Sequence, residues 1–142
     1  MPSDATHHLI LYDGLCAMCN RFVRFVIRRD TRDVFRFASL QGAAGVKILA
    51  GQKTANSGMK TIYLVLNYES PYQQILDRSD AVVFILQELG RFWSALARIA
   101  GKLPRSTRDS MYNFIARNRY HLARKLDSCP IPSPQDQPRF LT

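Results

Sequence analysis

Residues 8–19 read HLILYDGLCAMC, an apolar run that ends in Asp-Gly and is followed directly by a Cys-x-x-Cys pair. A short apolar run ended by turn residues is typical of a buried strand. From Cys16 onward the apolar period changes, because Cys19 and Val23 fall on one helical face and arginines fall on the other. The stretch therefore predicts a strand, a turn and a helix that ends near Asp30, with both cysteines at the start of the helix.

The rest of the chain continues the alternation of strands and helices. Further strands are predicted at residues 34–38, 61–66 and 72–76, and helices from a Ser39 cap to residue 50, from a Ser79 cap over residues 80–89, and at residues 92–103 and 106–126. A strand–helix–strand unit implies parallel pairing with a right-handed crossover, and the two closely spaced later strands imply a hairpin. We therefore expect an α/β fold with a four-stranded mixed sheet flanked by helices, and additional C-terminal helices.

The chain length of 142 residues corresponds to one domain, residues 1–142. Its C-terminal part is predicted to be a helical extension at about residues 91–127, followed by a proline-rich tail at 128–142. We expect the last helix to turn one apolar side toward the core, and Asn118 in that stripe to make a buried hydrogen bond. The residues of that side are Met111, Phe114, Ile115, Leu122 and Leu126.

The charge and the N-terminus bound the class of protein and its partners. The formal charge is +9, which favours anionic partners in general, namely nucleic acid, acidic proteins or anionic lipid surfaces. Residues 1–8 carry an acid and no Lys or Arg, which is unlike a signal peptide, and no apolar stretch approaches the roughly 20 residues of a membrane span. The sequence predicts a cytoplasmic protein with no transmembrane segment. The arginines near Asn118 are expected to form a solvated or ion-paired face rather than a nucleic-acid surface.

The chemistry is carried by the cysteines, of which there are three: Cys16, Cys19 and Cys129. A thiolate at Cys16 would lie at the positive end of a helix, which lowers a thiol pKa and raises its reactivity. Because Cys19 begins the apolar stripe, we expect Cys16 to be the more exposed thiol. The pattern thus indicates a thiol–disulfide oxidoreductase in which Cys16 attacks and Cys19 resolves, with no cofactor besides this redox-active disulfide.

Several alternatives stay open at this point. Asp13 could shuttle the proton of Cys19, or it could simply cap the turn with Gly14. Zinc could bind Cys16 and Cys19 if Cys129 and a histidine, which would be His7, His8 or His121, completed the set of ligands. The chain could also be a binding module whose basic helical face docks an acidic partner, and such a module would keep its binding after Cys16→Ser.

Residues 13–19 resemble the Asp-x-x-Cys-x-x-Cys signature of the DCC family, thioredoxin-like proteins described as thiol–disulfide oxidoreductases. The likeness extends to further blocks at residues 29–30, 35–41 and 78–82, at Tyr112 with residues 116–120, and at residues 129–130 and 139–141. The resemblance implies the redox role for Cys16 and Cys19, and makes Asp13 part of the motif. Thioredoxins proper place a cis-proline before the third strand. Here Gly58-Met59-Lys60 precedes Thr61, so we expect substrate docking to differ.

The resemblance to thioredoxin-like proteins also suggests a substrate contact. In glutaredoxins, residues near the start of the helix after the hairpin help to bind glutathione, and Ser79 and Asp80 occupy a similar position here. The two residues are equally explained as an N-cap and a first-turn acid. The expected substrate is a disulfide-containing protein or a small thiol such as glutathione.

Overall fold

A computed structural model describes residues 7–40, 42–50, 62–68, 73–118 and 134–141. The strands are β1 (His8–Tyr12), β2 (Phe35–Ser39), β3 (Tyr63–Leu66), β4 (Gln74–Asp77) and β5 (Phe140–Leu141). The helices are α1 (Ala17–Arg29), α2 (Ala43–Ala50), α3 (Arg78–Gln87), α4 (Arg91–Gly101) and α5 (Arg105–Arg117), and a short 3-10 helix (Gln137–Arg139) precedes β5.

The strands form one mixed sheet in the order β4-β3-β1-β2-β5, with β1 parallel to β2 and antiparallel to β3. This confirms the predicted α/β class and is consistent with a thioredoxin-like fold. The sheet has five strands rather than four, because Phe140 and Leu141 of the proline-rich tail pair with β2. A strand of two residues is too short to show an alternation of side chains, so the sequence pattern does not indicate it. Pro138 shortly precedes the strand at the edge of the sheet, where proline is tolerated.

Both faces of the sheet are covered, which explains why β1 is a continuous apolar run. Along β1 successive side chains alternate between the faces, so Ile10 joins one core cluster and Leu9 and Leu11 join the other. The first cluster includes buried residues of α1 and α3, such as Val26 and Ile85. Helices packed on both sides of a parallel pair require such unbroken apolar strands.

A buried acid lies where the C-terminal segment meets the start of β2. The carboxylate of Asp30 accepts the backbone N–H groups of Val34 and Phe35 at 3.0 and 2.9 Å, which fixes the entry to β2. Arg139 approaches Asp30 at 3.8 Å and Asp33 at 3.2 Å. Two sequence blocks that lie far apart in the chain thus meet beside β2.

Neither predicted serine cap is found. Ser39 is the last residue of β2, and its carbonyl accepts the N–H of Gly42 just before α2. Ser79 lies inside α3, whose N-cap is Asp77 and whose first residue, Arg78, has a φ of 50°. This left-handed residue takes the chain from β4 directly into α3, so the last residue of the strand is also the N-cap, and its side chain makes no capping hydrogen bond.

The orientation and length of α5 also differ from the prediction. The helix ends at Arg117, and none of its residues is fully buried. Met111, Phe114 and Ile115 are exposed by 58%, 61% and 44%, so the expectation that they face the core is wrong. Tyr112 packs against the core instead.

Asn118 does not make the expected buried hydrogen bond. It follows α5 as the C-cap, and its side-chain amide donates to the carbonyl of Phe114 at 2.8 Å in an exposed position. The predicted continuation of the helix, with Leu122 and Leu126, lies outside the described residues, as does Cys129.

Candidate active site

The cysteine pair lies at the junction of β1 and α1. Cys16 is the N-cap of α1 and has extended backbone angles. Its Sγ accepts the backbone N–H of Cys19 at 3.3 Å, and its carbonyl accepts the N–H of Asn20 at 3.0 Å. A thiol therefore occupies the position that Ser, Thr, Asp or Asn usually takes at a helix start.

The two thiols differ in exposure, in the sense opposite to the prediction. Cys16 is 0% exposed, whereas Cys19 is half-buried. The expectation that Cys16 is the more exposed thiol is therefore wrong. The reason is its capping role, because the sulfur folds over the first turn of α1 to reach the N–H of Cys19. Cys19 is thus the more accessible thiol, and the sulfur of Cys16 accepts a backbone hydrogen bond.

Asp13 closes the turn that leads into the helix. Its Oδ1 accepts the N–H of Leu15 at 3.0 Å, and its backbone carbonyl accepts the N–H of Cys16 at 3.1 Å. The residue is only 3% exposed. These contacts give Asp13 the turn-capping role, which was one of the two alternatives. Its role as a proton shuttle stays a prediction.

Asn20 is a site residue that the sequence analysis missed. Its side-chain amide donates to the carbonyls of Gly14 and Cys16, both at 2.9 Å. The amide therefore ties the turn before Cys16 to the first turn of α1. The helical pattern placed Asn20 on the polar face with the arginines. The available signal was an amide side chain one turn after a capping position.

The register of the sheet brings the start of β3 and the end of β4 to the end of the sheet where the cysteines lie. Leu11 of β1 pairs with Tyr63 of β3, which pairs with Asp77 of β4. The end of β1, the start of β3 and the end of β4 therefore lie at the same end of the sheet. The predicted departure from a cis-proline, at residues 58–61, lies outside the described residues.

At this end of the sheet, both backbone groups of Ile62, the residue just before β3, are hydrogen-bonded. Its N–H donates to the hydroxyl of Tyr112 at 2.8 Å, and its carbonyl accepts the N–H of Arg78 at 3.3 Å. Helices α3 and α5 thus both attach to the residue that precedes β3.

Ser79 and Asp80 belong to a polar network between α3 and α5. The hydroxyl of Ser79 donates to the carboxylate of Asp109. Asp80 forms ion pairs with Arg105 and with Arg108, each at 3.0 Å. Both residues of the predicted glutathione contact are therefore bound to α5.

The network also acts on the acid of α5. Burial tends to raise the pKa of Asp109, but hydrogen bonds from Ser79 and the positive charges of Arg105 and Arg78 outweigh burial. The pKa of Asp109 therefore lies below its ordinary value of 3.8, and the carboxylate is ionised at neutral pH.

The residues of the zinc hypothesis are not brought together where they are described. In residues 7–118 and 134–141, less the gaps given above, no cluster of three or more His, Cys, Asp or Glu residues suits a metal ion. His8 begins β1, whereas Cys16 follows its other end, and the Nδ1 of His8 accepts the N–H of Asn67 at 3.1 Å. His121 and Cys129 lie outside the described residues.

A membrane span is also not found in the described part of the chain. None of its helices has the length and apolar character that crossing a bilayer requires.

Comparison with known proteins places the chain in a family. No solved structure matches the chain significantly. A protein of Bacillus subtilis (strain 168) named uncharacterized protein YuxK is 32% identical over 135 residues, which cover 95% of this chain and 94% of that protein. A DCC family protein of Arabidopsis thaliana, named as chloroplastic, is 32% identical over 123 residues, which cover 87% of this chain and 69% of that protein. The family profile described as DCC1-like thiol-disulfide oxidoreductase matches residues 10–125, and the chain belongs to this family.

Proposed function

We propose that the protein exchanges disulfides through its own dithiol, with Cys16 as the nucleophile and Cys19 as the resolving thiol. The observation that carries this assignment is the hydrogen bond from the Cys19 N–H to the Cys16 sulfur at 3.3 Å. A backbone donor and the positive end of α1 both favour a thiolate at Cys16. The first turn of α1 contains no acid that would oppose this charge.

The reaction follows from these roles. The Cys16 thiolate attacks one sulfur of a substrate disulfide, and the other substrate sulfur leaves as a thiolate that takes up a proton. Cys19 then attacks the Cys16 sulfur of the mixed disulfide and releases the second substrate thiol. The substrate gains two electrons, and the protein is left with a Cys16–Cys19 disulfide that an external thiol must reduce. We assign to Asp13 the uptake of the Cys19 proton during the second step.

The burial of Cys16 adds a condition to this scheme. A substrate disulfide must displace whatever covers the Cys16 sulfur before it can react, whereas Cys19 is already half-exposed. Access, rather than thiolate formation, should therefore limit the rate for bulky disulfides. A small disulfide should react faster than a folded protein disulfide of the same reduction potential.

The substrate class we propose is a protein disulfide or a mixed disulfide of a small thiol such as glutathione. Ser79 and Asp80 are proposed as a contact for that substrate, and their position at the start of α3, after β4, supports it. Because Asp80 is paired with Arg105 and Arg108, a cationic group of the substrate must compete with these arginines. A reducing compartment such as the cytoplasm would keep both thiols reduced.

The roles of the two cysteines are tested by trapping. Cys19→Ser should accumulate a mixed disulfide with a disulfide-containing peptide, because the attacking thiolate persists and the resolving thiol is gone. Cys16→Ser should form no such adduct. Iodoacetamide rates measured against pH should show Cys16 reacting below the ordinary thiol pKa of about 8.5.

Two results would contradict the proposal. Accumulation of the mixed disulfide in Cys16→Ser, and not in Cys19→Ser, would reverse the two roles. The absence of disulfide exchange in the unmodified protein, with small and large disulfides alike, would overturn the proposed function itself.

A further inference from the structure

Helix α4 presents an apolar stripe to solvent. At 100° per residue its exposed apolar side chains fall within a narrow sector of the helix surface. Phe92, Leu96 and Ile99 are exposed by 66%, 40% and 63%, and Leu103, just after the end of the helix, is exposed by 44%. The opposite side of the helix carries Ala97, which is buried. The stripe therefore belongs to the outer surface and not to the contact of α4 with α3.

A basic ridge runs beside this stripe. Arg91 and Arg98 are exposed and fall on one flank of the apolar line, and Lys102, the C-cap residue of α4, is exposed as well. In the part of the chain that the structure describes, neither Arg91 nor Arg98 has a carboxylate within ion-pair distance. Two arginines without an acidic partner leave a local excess of positive charge, in a chain whose net charge is already +9.

A groove of about 590 Å³ lies along the same ridge. Arg32, Arg91 and Arg98 line it together with Glu88 and Ser94. The carboxylate of Glu88 is bonded to Arg32, so the charge of the other two arginines is not offset. Such a groove suits a small anionic group held by guanidinium donors and a hydroxyl.

We propose that α4 docks on an anionic phospholipid surface. The headgroup phosphates would enter the arginine-lined groove, and the apolar stripe would lie at the boundary with the acyl chains. A bilayer supplies phosphate and hydrocarbon side by side with no requirement for register. A second copy of this chain fits less well, because it would bring another +9 charge and another basic ridge to the contact.

The docking surface is remote from the cysteine pair. Cys16 caps the N-terminal end of α1, and Arg32 follows its C-terminal end. Thirteen residues of helix span about 20 Å. The proposal goes beyond the proposed function and does not depend on it, and disulfide exchange should continue on a bound protein.

Co-sedimentation with vesicles tests the proposal on the full chain. The protein should bind vesicles of phosphatidylcholine mixed with phosphatidylglycerol, and hardly bind phosphatidylcholine alone. Phe92→Ser with Ile99→Ser, and separately Arg91→Ala with Arg98→Ala, should each weaken binding about tenfold or more. The matched control is Arg21→Ala with Arg24→Ala, which removes two exposed charges from α1 and should weaken binding much less.

Circular dichroism of each variant checks that it is folded, which is expected because every changed side chain is exposed. The proposal is overturned if the mixed vesicles do not bind, if the serine pair binds as well as the parent, or if the α1 control loses as much binding as the α4 arginine pair. Saturable binding to an acidic polypeptide without binding to vesicles would instead identify the face as a protein-docking surface and would equally overturn it.

Discussion

The hydroxyl of Tyr112 accepts the backbone N–H of Ile62 at 2.8 Å, and this bond joins α5 to the residue that precedes β3. Ile62 is only 7% exposed, so its N–H has little access to water. Because the other large apolar residues of α5 face solvent, Tyr112 and the network around Asp109 attach this helix to the rest of the protein.

Replacing Tyr112 by Phe should therefore lower the free energy of unfolding by about 1–2 kcal/mol, because the N–H of the buried Ile62 loses the hydroxyl that accepts it. The measurement is urea denaturation followed by circular dichroism. Met111→Ala, one residue away on the exposed side, is the control and should change stability by less than about 0.5 kcal/mol. Equal losses in the two variants would show that the bond to Ile62 carries no special weight.

Asn20 should position the cysteine pair. In Asn20→Ala the carbonyls of Gly14 and Cys16 each lose an amide donor, which should cost about 1 kcal/mol of stability and slow disulfide exchange. Asn20→Asp should have a larger effect, because a carboxylate repels both carbonyls and opposes a thiolate at Cys16.

The pH dependence of alkylation distinguishes a positioning role of Asn20 from a purely structural one. Asn20→Asp should move the alkylation profile of Cys16 to higher pH, a change that loss of stability alone does not produce. Arg21→Ala, at the exposed neighbouring position, should leave the profile in place. If Asn20→Asp lowers stability and leaves the profile unchanged, the residue acts on the fold only.

The strand–turn–helix unit was predictable because three local signals agree: the apolar run of β1, the Asp13–Gly14 turn, and the change of period at Cys16. The relative exposure of the thiols was not predictable, because it depends on the direction that a capping side chain takes. Sequence places Cys19 on the apolar stripe, but it does not show that the sulfur of Cys16 folds over the first turn.

For helix α5, too, the sequence does not show which face of the helix is buried. Its apolar periodicity is real, yet Phe114 and Ile115 are exposed while Tyr112 faces the core. Periodicity identifies a face, but the elements packed around a helix decide which face is buried. Likewise, β5 forms because Phe140 pairs with β2 and Arg139 contacts Asp33. These contacts join segments that are far apart in the sequence, so no local pattern reveals them.

His8 should make stability depend on pH. Burial is the largest cause that lowers the pKa of His8 below its ordinary value of 6.5, and the opposing charge of Glu88 does not compensate. The imidazole also accepts the N–H of Asn67 at 3.1 Å through Nδ1, which only an unprotonated Nδ1 can do. Below pH 6.5 the unfolded chain therefore binds a proton at His8 more readily than the folded protein does.

It follows that the His8 contribution is fully present above its unfolded pKa of 6.5 and is lost as the pH falls through the lower folded value. Urea denaturation at pH 7.5 and pH 5.5 should show lower stability at the acid value, in a range where Asp33 and Asp109, with their lowered pKa values, stay ionised. His8→Gln, which keeps an acceptor but does not titrate, should show a smaller loss between the two pH values. His7→Gln is the matched control and should keep most of the parent's dependence, because His7 is a lesser cause of the lowered pKa of His8 than burial is. A flat profile in the parent protein would contradict the prediction.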